Sequence, residues 1–247
     1  MMNKRDKLIQ YSMQYNGDWT KITNAIRKQD VIQYKDPITQ CITYFDDEYP
    51  DSLRQLRYPP WVLFYIGDIS LLKKRSITIV GSRELNAYGK KVTSLSSKVL
   101  SQKYVIVSGL AKGADSIAHQ EAINNQGKTI GVIASGLQIE YPRENESLYQ
   151  IMKKDHLIIS EYPYHTKIQK HHFIYRNRIL AALGKKCIVT GSKLKSGTMF
   201  TVNEAMNLGK EVWCFPYPFN DIYGEGNNKL VHEGAMLLYD SRQLYEI

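Results

Sequence analysis

The residues best equipped for chemistry in this 247-residue chain are cations and small residues at what read as the ends of strands. Ile79-Val80 runs into Gly81-Ser82-Arg83. A glycine there lets backbone approach a ligand closely. A helix after it offers free N–H groups to an anion, and Arg83 adds a forked, permanently charged donor suited to phosphate. The same residues suit a tight turn carrying a solvated arginine, and both readings stand. A second loop, 108–115, sets Gly109 and Gly113 around Lys112 at a helix start, again a cradle for phosphate. His119, on the helix that follows, reads as a packed or locally bonded side chain without a catalytic role. A third loop, 190–198, carries Lys195, Ser196 and Gly197. It has the outline of a Walker A loop, but Gly197 stands where the phosphate-reaching lysine must be, which excludes an NTPase.

The densest signal is the stretch 167–180, with Lys170, Phe173, Arg176, Asn177 and Arg178. Cations for phosphates and a ring for base stacking are what single-strand binders combine. A surface helix with Phe173 and Ile179 turned inward is the competing reading. Against it, Arg176-Asn177-Arg178 near a helix start opposes the helix dipole, a conflict that a bound anion would resolve. Other chemistry finds no support. There is no G-x-S-x-G elbow and no H-E-x-x-H helix, and the adjacent His171 and His172 diverge on a helix. No catalytic residue, metal site or cofactor is expected.

Elements at regular spacing must position these loops. Short β-branched runs at 77–80, 104–107, 129–133, 157–159, 187–189, 212–215 and 236–238 read as strands. Helical patterns lie between them near 88–100, 115–124, 145–153, 173–183, 199–208 and 229–233, with Asn145 as a helix N-cap. This alternation predicts an α/β fold, a mostly parallel Rossmann-like sheet with helices on both faces and its ligand site at the carboxyl ends of the strands. Residues 1–45 read as a small helical segment, with helices at 7–13 and 19–27, and 46–247 as the Rossmann-like domain. Trp61 to Tyr65 adds an apolar strand.

The charge balance, 33 Lys+Arg against 24 Asp+Glu, gives +9 and favours a polyanionic partner. The three cysteines form no CxxC pair and read as small buried hydrophobes. The first residues show no apolar signal core, and the strongest apolar run is far too short to span a bilayer. A cytoplasmic protein without a membrane partner is expected.

Taken in order, the loops resemble the DprA/Smf family of DNA-processing proteins. Its G-S-R matches Gly81-Ser82-Arg83, and its S-G-L-A-x-G-x-D with a following A-H matches 108–119. Its Y-P-x-x-N matches 141–145, its S-E-x-P matches 160–163, and its F-P-x-R-N-R-I matches 173–179 with Ile174 in place of proline. S-G-(S/T) matches 196–198, and the closing G-x-N-x-L-I-x-x-G-A matches 226–235. Thr190 stands where the family usually has glutamate, Tyr217 where glycine usually follows Pro216, and Gly224 where serine is common. The resemblance implies a non-enzymatic homodimer that binds and protects single-stranded DNA and loads RecA on it during natural transformation. From the loops and the basic–aromatic stretch, the residues expected to meet the DNA are Gly81, Ser82, Arg83, Gly109, Lys112, Gly113, Lys170, Phe173, Arg176, Asn177, Arg178, Lys195, Ser196 and Gly197. With the sequence stopping at Ile247, the winged-helix tail that some relatives carry is expected to be absent.

The competing enzyme is a nucleoside-monophosphate phosphoribohydrolase of the related lysine-decarboxylase-like fold. It needs P-G-G-x-G-T-x-x-E, but Thr201 occupies the glutamate's place, with Glu204 one turn further on as a substitute. A nucleotide-sensing domain of that fold is a third reading.

Overall fold

The structure, a computed structural model, describes residues 2–32 and 40–247. Met1 and residues 33–39, part of the expected N-terminal segment, lie outside the described residues. In chain order come α1 (Lys4–Gln14), α2 (Trp19–Lys28), β1 (Cys41–Thr43), α3 (Asp51–Arg54), β2 (Val62–Gly67) and β3 (Ser76–Val80). Then follow α4 (Ala87–Leu100), β4 (Val105–Ser108), α5 (Ala114–Asn124), β5 (Thr129–Val132), α6 (Glu146–Asp155) and β6 (Leu157–Ser160). The chain closes with α7 (Lys170–Leu183), β7 (Cys187–Val189), α8 (Thr198–Asn207), β8 (Val212–Cys214), α9 (Glu225–His232), β9 (Met236–Leu237) and α10 (Gln243–Glu246).

Among the described residues, nine strands form one sheet in the order β1-β2-β6-β5-β4-β3-β7-β8-β9. From β6 across to β9 every pair is parallel, and β1–β2 and β2–β6 are antiparallel. Strands such as Ile77-Thr78-Ile79-Val80 are buried on both faces, which is why they read as unbroken apolar or β-branched runs. One apolar cluster packs α7 and α8 against the sheet, and another packs α4, α5 and α10. None of the described helices is long and apolar enough to cross a membrane.

The chain builds β3 to β6 in one direction and then returns to lay β7 on the other side of β3. That reversal opens a crevice between the loops leaving β3 and β7, the place where such sheets bind ligands.

Three features differ from the sequence reading. The strand β1 has no counterpart in it, since three residues are too few to show alternation. It places residues 41–43 in the sheet, inside the segment expected to be helical. The helices α1 and α2 also share one apolar cluster with β2 and α6, through Leu8, Ile9 and Ile22 against Phe64, Tyr149 and Met152. Finally, α7 begins at Lys170, three residues before the expected start, with no side-chain cap from Gln169. Arg176 and Arg178 are therefore well inside the helix, beyond the first-turn reach of its dipole, and the conflict that called for an anion there does not arise. The three cysteines are buried and free.

Candidate nucleic-acid interface

The crevice between β3 and β7 holds a cleft of about 390 Å³. Its walls are the loop after β3 (Gly81, Ser82, Arg83), the start of α8 (Ser196, Gly197, Thr198), and Phe173 and Arg176 of α7. At the mouth the Arg83 guanidinium lies 5.0 Å from the centre of the Phe173 ring. A cation held on a ring face is attracted by the ring quadrupole, and the pair joins two segments 90 residues apart. Phe173 is half-buried and Arg83 exposed, so both face the opening. Lys170 and Lys195 are exposed but are not among the residues that line the cleft, and neither is Lys112, which is exposed as well and pairs with Glu144. The backbone at Gly197 is open, with nothing within 4 Å of where a Cβ would stand, and the α8 N-terminus has no side-chain cap. Uncapped N–H groups of that kind suit an anion.

The expected glycines divide by role. A Cβ on Gly109 would fall 1.6 Å from Nη1 of Arg176, and one on Gly81 2.7 Å from Cβ of Ala114. Gly113 has φ +76°, and its Cβ would stand 2.5 Å from the carbonyl oxygens of Ser82 and Arg83. These three let loop pack on loop, so the space they save is taken by the protein itself. Gly197 alone of the expected glycines has its saved space open.

Helix α7 parts its polar residues. Arg176 is 4% exposed, and its Nη1 donates to the carbonyl oxygen of Val132 at 3.2 Å. Burial lowers its pKa, and the nearby Asp115 carboxylate pulls the other way. Asp115, also in the cleft wall, is pushed upward by burial while Arg176 opposes the shift. Asn177 donates from Nδ2 to the Gly197 carbonyl at 3.1 Å and so pins the turn before α8. Arg178 is turned away from the cleft. Its guanidinium forks onto Glu161, Nη1 to Oε1 at 2.7 Å and Nη2 to Oε2 at 2.6 Å, with both side chains nearly fully buried. With four of its five N–H donors spent on Glu161, Tyr58 and Tyr175 and the side chain buried, Arg178 cannot reach a phosphate in the cleft, and we remove it from the interface.

Sequence reasoning overlooked Asp115 and gave Asn145 only a capping role. Asp115 sits inside the 108–119 motif, where its type suggested no role, yet it accepts the Ala111 N–H at 3.2 Å and holds the loop after β4. Asn145 stands at the N-cap of α6 but makes no capping bond; its Nδ2 donates to the carbonyls of Leu110 and Ala111, at 2.9 and 3.2 Å. No local pattern marks such a bond, because its partners lie 34 and 35 residues away. Glu204, the substitute general acid of the competing enzyme, is not among the residues that line the cleft, whereas Thr201 is.

A family model described as DNA recombination-mediator protein A matches residues 40–247. The chain is 42% identical over 215 residues to the DNA processing protein DprA of Bacillus subtilis, covering 86% of this chain and 72% of that one. The chain belongs to the DprA/Smf family. Among solved structures, DprA from Streptococcus pneumoniae superposes with a TM-score of 0.81 at 32% identity, covering 97% of this chain and 90% of that one. DNA processing protein A from Helicobacter pylori, solved for its single-stranded DNA binding mode, gives 0.76 at 30%, covering 84% and 95%.

Within this DprA/Smf chain the departures at 190, 217 and 224 form one packing unit. The Tyr217 hydroxyl donates to the Thr190 carbonyl at 2.6 Å. A Cβ on Gly224 would lie 1.8 Å from Cγ of the Tyr217 ring, so the usual serine is incompatible with the tyrosine. We expect Gly224→Ser alone to destabilise the protein by about 1–3 kcal/mol through overpacking. Tyr217→Gly in the same chain should recover much of that loss, a coupling that a double-mutant cycle of thermal melts would measure. Additive losses would show that the two positions are independent.

Proposed function

We propose that this chain binds single-stranded DNA across the cleft between β3 and β7 and delivers it to RecA recombinase during DNA uptake, in the cytoplasm and without a catalytic step. The observation that carries the reading is Arg83 resting on the Phe173 ring at the cleft mouth. It sets a fork for phosphate beside a ring for a base, and Lys170 and Lys195 are exposed to add charge. The single-stranded DNA named for the Helicobacter pylori relative agrees with it, as does the net charge of +9. Delivery to a recombinase rests on the recombination-mediator family.

Arg83→Ala and Lys170→Ala should each weaken binding to an oligothymidylate and flatten its dependence on salt. The slope of log affinity against log salt falls by about 0.7 for each phosphate that the protein no longer neutralises. Phe173→Ala should cost about 1–3 kcal/mol with the slope nearly unchanged, because stacking releases no counterion. Folded Arg83→Ala and Lys170→Ala proteins with wild-type affinity at two salt concentrations would remove the site. Incubation with nucleoside monophosphates should release no free base; release would restore the phosphoribohydrolase.

Self-association is part of the proposal. The C-terminal end of the sheet exposes Met236 and Leu237 on the edge strand β9, with Phe219 and Tyr239 exposed as well, at 93% and 74%. Light scattering at micromolar concentration should give the mass of a dimer, and a monomer mass would refute it.

A further inference from the structure

A second, larger cleft of about 710 Å³ opens on the other side of the first turns of α7. One wall is the turn into α2 with Trp19 and Lys21, and the other comes from 161–175, with Thr166, Lys167, His171 and Tyr175. His171 and Phe173 are two positions apart, so they project about 200° from one another around the helix. His171 lines this cleft and Phe173 the first, which makes the start of α7 a ridge between them.

The second cleft carries the chemistry of a strand. Tyr175 is 41% exposed. Trp19 heads a file of rings, edge-on to Tyr58 at 4.9 Å and stacked with Trp61 at 6.0 Å, and Arg57 lies 5.2 Å over Tyr58. Lys21, Lys167 and His171 are exposed. The two carboxylates in its walls are engaged: Asp18 caps α2 and pairs with Lys21 at 3.9 Å, and Glu161 is saturated by Arg178. Thr166 lines the cleft at 8% exposure, and its hydroxyl has no hydrogen-bond partner. A buried polar atom left unpaired is costly, and the polar edge of a base is a group that would satisfy it.

We propose that the second cleft takes the continuation of the same single strand, with bases on Tyr175 and Trp19 and phosphates passing Lys167 and Lys21. This rests on the reading that the first cleft binds single-stranded DNA. The test compares oligothymidylates of about 4 and about 16 nucleotides, the span of site sizes such grooves show. Tyr175→Ala with Lys167→Ala should leave the short oligomer's affinity unchanged. It should weaken the long one at least roughly five-fold and reduce its salt slope by about 0.7. Arg83→Ala should weaken both. A photoactivatable thiothymidine in the long oligomer should crosslink to Trp19 or to Tyr175 itself, assigned to the residue by fragmentation because Tyr175 shares a peptide with Phe173. If Tyr175→Ala impairs folding, Tyr175→Leu keeps the bulk and removes the ring. A folded variant that binds both oligomers like wild type, or crosslinks confined to the first cleft, overturns the second cleft alone. If Arg83→Ala is equally silent, the first reading fails and takes this one with it.

Discussion

Replacing Arg178 by alanine should destabilise the protein by about 3–5 kcal/mol, the cost of stranding one half of a buried ion pair. For a chain of this size the melting temperature should fall on the order of 10 °C. The Glu161 carboxylate would remain 5% exposed with no countercharge. Burial by itself lowers the Arg178 pKa, but Glu161 outweighs it and the net direction is upward, so the guanidinium stays charged. The loss reaches further, because Nε of Arg178 also holds the Tyr58 carbonyl at 2.8 Å. Glu161→Gln should destabilise in the same direction, and the double variant by less than the sum. Below its new melting temperature Arg178→Ala should bind a short oligothymidylate, which reaches only the first cleft, like wild type. A folded, fully stable Arg178→Ala protein with diminished affinity would return this arginine to the interface.

The second large effect is a fall in stability on mild acidification. His119 is fully buried; its Nδ1 meets the Thr129 hydroxyl at 2.6 Å, and that hydroxyl spends its proton on the Ile106 carbonyl. Nδ1 must therefore donate, which leaves Nε2 unprotonated and without a partner. Burial pushes the His119 pKa down to about 3. Burial also lowers His156 and His172. A histidine with a depressed folded pKa leaves stability intact above its unfolded value near 6.5. Below that the unfolded chain takes up the proton first, and stability is lost until the folded pKa is reached. His119 alone should remove about 2 kcal/mol between pH 7.5 and pH 5, with His156 and His172 adding to it. Urea titrations at those two pH values would show the loss, and His119→Gln should shrink the difference. Equal stability at both would mean that His119 takes up its proton as readily in the fold as in the unfolded chain.

The strands from β3 to β8 were legible because burial on both faces leaves β-branched runs that no other element produces. Gly81-Ser82-Arg83 drew notice as the exit of a β-branched run and Phe173 as a ring among cations, and the fold brings them to one cleft. Arg178 was misread for a physical reason: its partner Glu161 belongs to a separate motif 17 residues earlier, and nothing local joins them. The start of α7 was misplaced because Lys170-His171-His172 show neither an apolar period nor a cap. Gly81 and Gly109 were read as making room for a ligand, when the atoms they admit are those of Ala114 and Arg176.

Arg176, Asn177 and Arg178 each fasten a different loop: the exit of β5 through Val132, the turn before α8 through Gly197, and the exit of β6 through Glu161. Three neighbouring codons therefore act as the hub of the whole carboxyl rim. Any mutational screen that scores DNA binding alone will find all three intolerant and will read them as a DNA-contact hotspot. Only hits sorted by soluble protein level will separate the residues that grip the strand from those that keep its track in one piece.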